Sequence, residues 1–157
     1  MNRNMQTDGK RLIDEGERIF RRDVKGALED GDYNLTVRRA QEVVELVLKG
    51  ALKVLCVEYP RIHDVGTLFA EQVREKRQDV ETEGLDRIEE ISLWLSQARA
   101  PALYFEREYD VEDARQALQD AAFVVVEVKK RLDIRNEDPS ERVRCPGRRP
   151  DGGSVSG

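Results

Sequence analysis

The sequence predicts an all-α protein, and two observations support that prediction. Charged residues make up 38% of the chain and aromatic residues only 6%, a mixture that is typical of helix bundles and unusual in β-sandwiches. Apolar residues also recur at alternating spacings of three and four over several long stretches, which places them on single helical stripes. A chain of about 150 residues buries roughly two-thirds of its unfolded surface, so one domain is expected.

The predicted domain covers residues 8–135, as a five-helix up-and-down bundle with a long central second helix. Residues 136–157 contain prolines and glycines without an apolar period, and they are predicted to form a disordered basic tail. Residues 142–157 hold four Arg and one Asp, whereas residues 1–141 hold 31 acidic and 23 basic residues. An acidic body argues against a broad nucleic-acid-binding face, because such faces use Lys and Arg to neutralise phosphates. It leaves room for a local basic pocket.

The first two helices are predicted on either side of a tight turn. Helix one is expected to begin at a cap formed by Thr7 or Asp8 and to end where Gly31 takes the left-handed conformation. Helix two is expected to follow from Asp32 or Asn34 and to end before Pro60, because the residue before a proline is pushed out of the helical region. It is apolar on more than one side, so it should lie at the centre of the bundle.

Three further helices complete the predicted bundle. Helix three is expected over about residues 65–76, with Asp64 as its N-cap. Helix four is expected from about Leu85 to Ala100, because Pro101 should end it. Asp110 is expected to cap helix five, with acidic residues in the first turn.

Several kinds of site and location are not expected. No stretch approaches 18 apolar residues and the N-terminus has no apolar core of a signal peptide, so a cytoplasmic protein without a membrane association is predicted. In that reducing compartment Cys56 and Cys145 are predicted to remain thiols. The sequence has no CxxC motif, no histidine pair and no glycine-rich phosphate loop, so neither a metal nor a cofactor is expected.

Three segments resemble HEPN domains in the same order along the chain. The segment VRRAQEVVELVLKGAL resembles the second helix of these domains, and IHDVGTLF resembles the opening of their third helix. Ala98 and Arg99, followed by Pro101 and Tyr104, are similar to the aromatic, arginine-containing link before the last helix. The resemblance covers about residues 10–135.

The resemblance implies a helical bundle that commonly dimerises and that in prokaryotes is often encoded beside a minimal nucleotidyltransferase. Many members are metal-independent ribonucleases that use an Arg and a His separated by four to six residues. Here His63 is the only histidine, and Cys56, Val57 and Glu58 occupy the positions that would need Arg. The standard ribonuclease site is therefore predicted to be absent.

Four residues are the candidates for binding a nucleotide or RNA: Arg99, Tyr104, Arg107 and His63. A guanidinium can donate two parallel hydrogen bonds to a phosphate, and a tyrosine can stack on a base. Alternatively, Arg99 caps the end of helix four and Tyr104 fills the bundle. Arg107 is a second donor in the same loop, although neighbouring glutamates could hold it in ion pairs. His63 either bonds a neighbouring carboxylate or backbone group, which is the favoured alternative, or acts as an acid or base.

Two functions follow from these candidates. The favoured one is a non-catalytic interaction module that forms a homodimer and binds a nucleotidyltransferase-like or other protein partner, with a nucleotide near Arg99. The dimer is expected to bury apolar surface on helices two and five. The alternative is an atypical metal-independent ribonuclease, the toxin of a toxin–antitoxin pair, that uses Arg99 and Tyr104.

Overall fold

The computed structural model describes residues 2–77 and 81–132, with side chains from residue 4 onward. These two segments are all-α and contain no strand. The helical elements are α1 (Asn2–Ile19), a π-helical turn (Phe20–Val24), α2 (Lys25–Glu29), α3 (Tyr33–Val54), α4 (Gly66–Lys76), α5 (Glu83–Leu103) and α6 (Val111–Arg131). The first three elements follow one another without a break. The prediction of a five-helix bundle is confirmed.

The α3 helix is the centre of this bundle, as predicted. No residue from Tyr33 to Leu55 is exposed, and α1, α4, α5 and α6 all contact this helix. Its fully buried apolar residues include Val37, Ala40, Val43, Val47, Leu48, Ala51 and Leu52. The other helices of the same chain therefore already cover these apolar side chains of α3, which are not available for a dimer contact.

The ends of α2, α3 and α5 share one hydrogen-bonding pattern. In each, the residue after the C-cap has a positive φ, and the next N–H reaches back to a carbonyl five residues earlier, as in a Schellman motif. The left-handed residues are Gly31 (φ 74°), Cys56 (φ 63°) and Phe105 (φ 53°). The N–H donors are Asp32, Val57 and Glu106, at 2.9, 2.8 and 3.1 Å from their acceptors. Glycine thus ends α2 as predicted, whereas the other two ends use residues with side chains.

The C-terminal boundaries of two predicted helices are corrected. The α3 helix ends at Val54, well before Pro60, because the left-handed Cys56 stops the helix first. The α5 helix does not stop at Ala100 but continues through Pro101 to Leu103. A proline in the last turn removes only one helical hydrogen bond. Continuing the helix lets Ala102 be buried at 3% exposure.

Two N-terminal boundaries also differ from the prediction. The first helix begins at Asn2 rather than at Thr7 or Asp8. The N-cap of α4 is Val65 rather than Asp64. Asp64 still binds the start of that helix, because its Oδ1 accepts a hydrogen bond from the N–H of Gly66 at 3.1 Å.

The N-cap of α6 agrees with the prediction. Asp110 accepts from the N–H of Asp113 at 2.8 Å, and the Asp113 carboxylate accepts from the N–H of Asp110 at 3.1 Å. These two bonds form a capping box, in which each side chain satisfies a backbone donor that the helix leaves free.

The predicted thiol state of Cys56 is wrong, because Cys56 is disulfide-bonded. The prediction placed Cys56 inside the central helix, whereas α3 ends at Val54 and leaves the cysteine in a half-buried turn. Cys145 and the predicted basic tail, residues 136–157, lie outside the described residues. No helix in the described segments combines the length and apolar character that a membrane span requires.

Candidate functional site

A polar seam runs between α3 and α5, and Arg99 forms one end of it. Arg99 Nη1 donates a hydrogen bond to Oε1 of Gln41 at 2.8 Å. Gln41 is 1% exposed, and its Nε2 donates to Oε2 of Glu45 at 2.9 Å. The amide of Gln41 therefore joins the guanidinium on α5 to a carboxylate one turn further along α3.

His63 forms the other end of this seam. Its Nδ1 lies 3.1 Å from both carboxylate oxygens of Glu45, and its side chain is 54% exposed. Lys49 also donates to Glu45, over 2.8 Å from Nζ to Oε1. We refer below to Gln41, Glu45, Lys49, His63 and Arg99 as the polar seam.

The electrostatics of the polar seam centre on Glu45. Burial raises the pKa of its carboxyl group, but hydrogen bonds from Lys49, Gln41 and His63 outweigh burial and hold this pKa below its ordinary value. Glu45 is therefore a carboxylate at neutral pH, and a carboxylate can only accept hydrogen bonds. The hydrogen of a neutral His63 then lies on Nδ1, which leaves Nε2 as the basic nitrogen.

The connection between α3 and α4 is held in place on both sides of His63. On the N-terminal side, Lys49 Nζ lies 5.4 Å from the ring centre of Tyr59, within the range of a cation–π contact. On the C-terminal side, Ser92 of α5 donates its hydroxyl to Asp64 Oδ1 at 2.7 Å. These two contacts hold the backbone that presents His63 to Glu45.

Tyr104 and Phe105 lie on the loop between α5 and α6, outside the polar seam. Their side chains are 69% and 73% exposed. Tyr104 is the C-cap of α5, and its exposure shows that it does not fill the bundle. Arg107 belongs to the same loop, with its guanidinium carbon 4.8 Å from the ring centre of Tyr109.

Asn34 of α3 holds this loop in place. Its Nδ2 donates to the carbonyl oxygens of Ala102 at 3.2 Å and Arg107 at 2.9 Å. Its Oδ1 accepts from the N–H of Tyr109 at 2.8 Å. Asn34 is only 8% exposed, so three hydrogen bonds from one buried side chain fix both sides of the loop.

The structure thus separates the four predicted site residues into two pairs. Arg99 and His63 share the polar seam, whereas Tyr104 and Arg107 lie on the loop. The prediction used Arg99 and Tyr104 together and expected Pro101 to end the helix between them. Since α5 continues to Leu103, Tyr104 is turned away from Arg99 by roughly 140°, five residues at 3.6 residues per turn.

Three polar residues that support these sites were not predicted from the sequence. Gln41 and Glu45 lie four residues apart within a largely apolar helix, and a buried polar residue in such a helix is a detectable signal. Asn34 gave no signal, because its partners are 68 to 75 residues away in the sequence. Within residues 2–77 and 81–132, no group of three or more His, Cys, Asp or Glu side chains is arranged to hold a metal ion.

The sequence was compared with family models, curated proteins and solved structures. The model of the HEPN domain matches residues 10–132, a range that includes the polar seam and the loop between α5 and α6. No curated protein and no solved structure matched the chain.

Proposed function

The chain belongs to the HEPN domain family, and we propose that it acts as a non-catalytic interaction module that dimerises and binds a protein partner. A nucleotidyltransferase-like protein is the partner that this family suggests, and a nucleotide beside Arg99 is the third part of the proposal. The observation that supports partner binding most directly is the exposure of Tyr104 and Phe105 on a loop that Asn34 holds rigidly.

The conformation of Phe105 supports a role outside folding. A residue with a side chain and a positive φ destabilises the folded state by about 1 kcal/mol or more, and such residues concentrate at functional sites. The Phe105 side chain is also 73% exposed, so its burial in the core does not offset that penalty. A rigid, exposed aromatic pair loses little conformational entropy on binding and is typical of interface hot spots.

The charge around this pair indicates which kind of surface it fits. Glu106, Glu108 and Asp110 are exposed beside it, while the nearby Arg107 guanidinium lies over a tyrosine ring. Acidic neighbours repel the phosphates of RNA and attract a basic rim on a protein. A protein surface with an apolar pocket surrounded by Lys and Arg is therefore the partner that this loop favours.

The dimer requires another surface, because the surface of α3 is covered. Leu93 on α5 is 49% exposed and Val126 on α6 is 65% exposed, and these two side chains support a dimer contact on the outer faces of α5 and α6. Sedimentation at micromolar concentration should show a dimer, and Val126→Glu should shift it to a species of 18.0 kDa. A wild-type protein that sediments only as a monomer would contradict this part of the proposal.

Partner binding is tested with the purified product of the neighbouring reading frame, where that frame encodes a nucleotidyltransferase-like protein. Phe105→Ala should weaken the measured Kd by about 30-fold, a loss of about 2 kcal/mol for a buried aromatic anchor. Ile62→Ala is the matched control, because Ile62 is also an exposed apolar residue, at 50%, but lies in the connection between α3 and α4. Equal Kd values for both variants would reject the loop as the docking surface.

A metal-independent ribonuclease remains the second candidate, because Arg99 and His63 are both bonded to the Gln41–Glu45 pair. The geometry favours His63 over Tyr104 as the companion of Arg99, because Glu45 and Gln41 join the imidazole to the guanidinium through hydrogen bonds, and histidine is the side chain that most often acts as a catalytic acid or base. Cleavage of RNA in EDTA that is lost in both His63→Ala and Arg99→Ala would support this candidate. Growth arrest by the wild-type chain, but not by either variant, would support it independently.

A further inference from the structure

One guanidinium nitrogen beside the polar seam has no hydrogen-bond partner among the described residues. Arg38 is on α3, and its Nε is buried with no hydrogen-bond partner in the described part of the chain. Arg38, Gln41, Glu45 and Lys49 follow one another at spacings of three and four, so they occupy one stripe of the helix. Buried charged donors normally have a partner, and one without a partner needs an explanation.

The second relevant guanidinium is that of Arg99, which reaches the same stripe from α5. Its Nη1 bond to Gln41 is a bond to a neutral amide. Neither Arg38 nor Arg99 forms an ion pair with any residue of the described segments. Two arginines on facing helices therefore lack a direct carboxylate partner.

The local charge contrasts with that of the whole chain. Lys49 is ion-paired with Glu45, so Arg38 and Arg99 are the two cations of the stripe and its α5 neighbour that lack a carboxylate among the described residues, whereas the chain as a whole has a net charge of −5. Partly buried charges of one sign repel each other more strongly than charges in water. An anion bound between them would relieve that repulsion and would accept the hydrogen bond that Arg38 Nε lacks.

We propose that the guanidinium groups of Arg38 and Arg99 together bind a phosphoryl group in the groove between α3 and α5. Arginine favours phosphate because its planar donors match the phosphate oxygens. Gln41 orients Arg99 by one nitrogen and leaves its other donors for the ligand. This inference rests on one part of the proposed function, the nucleotide beside Arg99. It identifies the phosphoryl group as the part of that nucleotide that the protein binds.

The experiment is a titration of the purified full chain, followed by NMR or calorimetry at low salt, where screening is weak. The probes are inorganic phosphate, AMP and adenosine. The site predicts that phosphate and AMP bind and that adenosine does not. AMP binding more tightly than phosphate would assign the site to a nucleotide, and equal affinities would assign it to the phosphoryl group alone. Adenosine binding as tightly as AMP, or no binding of phosphate or AMP, would overturn the proposal.

Variants of Arg38 and Arg99 test whether these two residues form the site. Arg38→Ala and Arg99→Ala should each weaken phosphate and AMP binding about 10- to 100-fold, the effect of losing a charge-assisted hydrogen bond. Arg38→Lys should bind phosphate more tightly than Arg38→Ala but less tightly than the wild type, because lysine keeps the charge but cannot donate two parallel hydrogen bonds. Arg21→Ala removes the same charge from an exposed position and should change the affinity less than about twofold, as expected for a screened surface charge. An equal loss in Arg21→Ala and Arg38→Ala would show attraction by net charge rather than a site.

A second readout does not depend on measuring affinity directly. Phosphate should raise the Tm of the wild type, because a ligand that binds only the folded state stabilises it. Arg38→Met should raise the Tm in phosphate-free buffer, because it removes a half-buried cation whose buried Nε has no hydrogen-bond partner among the described residues, and it should abolish the increase with phosphate. A phosphate-dependent increase that persists in Arg38→Met would overturn the site.

This test is independent of the partner-binding surface. Arg38→Ala should leave the affinity for the neighbouring protein unchanged, and Phe105→Ala should leave phosphate binding unchanged. Loss of phosphate binding in Phe105→Ala would mean that the two sites are one, and the proposal of a separate site would then be wrong.

Discussion

Gly9 on α1 and Gly50 on α3 bring their helices together backbone against backbone. A Cβ atom on Gly50 would lie 2.5 Å from the carbonyl oxygen of Gly9, and one on Gly9 would lie 2.5 Å from the carbonyl oxygen of Gly50. Real Cβ atoms do not approach backbone that closely. The two helices can therefore pack at this distance only because both positions lack a side chain.

Gly50→Ala should destabilise the protein by about 1–3 kcal/mol, because overpacking forces the helices apart. The effect should appear even though alanine has a higher helix propensity than glycine by about 1 kcal/mol. Urea unfolding followed by circular dichroism measures the change. Gly26→Ala is the control, since nothing lies within 4 Å of a Cβ there, and it should stabilise by about 0.4–1 kcal/mol. A stabilising Gly50→Ala would contradict the close crossing.

Asn34→Ala should destabilise the protein by about 2–3 kcal/mol, because it removes three hydrogen bonds and leaves the buried N–H of Tyr109 without an acceptor. The amide of Tyr109 should also exchange with solvent faster, which NMR can measure residue by residue. Asn4→Ala, at an exposed position of α1, should change stability by less than about 0.5 kcal/mol. Unchanged exchange at Tyr109 would mean that other contacts hold the loop.

Phe105→Gly should stabilise the isolated protein by about 1 kcal/mol, because glycine takes a positive φ without strain. The same change should weaken partner binding, since it removes the exposed ring. Tyr104→Gly is the matched control, because Tyr104 is equally exposed but has a φ of −96°, so glycine gives no relief there. Equal stability changes at the two positions would argue against strain at Phe105.

The stability of the protein should fall in acid partly through Glu45. Its pKa is lower in the folded state than the ordinary value of 4.5, so its contribution is fully present above that value and is lost as the pH falls through the folded pKa. The free energy of unfolding should therefore decrease from pH 5 to pH 3 more in the wild type than in Glu45→Gln. Glu112→Gln changes a carboxylate that is 78% exposed and should retain the steep wild-type dependence.

The helices were predictable because their signals are local. The apolar period of α3, the glycine after α2 and the acidic residues around Asp110 each lie within a few residues of the feature they determine. The errors at the ends of α3 and α5 have one cause, which is that proline was taken as the stop signal. Neither Cys56 nor Phe105 is a residue type from which a left-handed helix end is normally predicted.

The candidate site was predictable only in part. Arg99 and His63 were recognised as residue types that bind or transform phosphates, but nothing in the sequence shows that Gln41 and Glu45 connect them. That connection depends on the direction in which α5 runs past α3 and on the position of the connection before α4. Nothing in the sequence marks Arg38 for burial either, because the burial of its Nε depends on how the helices pack.

The central position of α3 has a consequence for the way in which the molecule opens. Fraying of α1, α4 or α6 exposes only one side of α3, whereas the amides of α3 become fully accessible only when several helices separate together. Hydrogen exchange in the middle of α3 should therefore proceed through global unfolding, with protection equal to the total stability, while the outer helices exchange through smaller openings. Since the polar seam is built on α3, the Glu45 carboxylate and the buried Gln41 amide belong to the last part of the protein to open. A ligand can therefore enter and leave the groove between α3 and α5 while the protein stays folded.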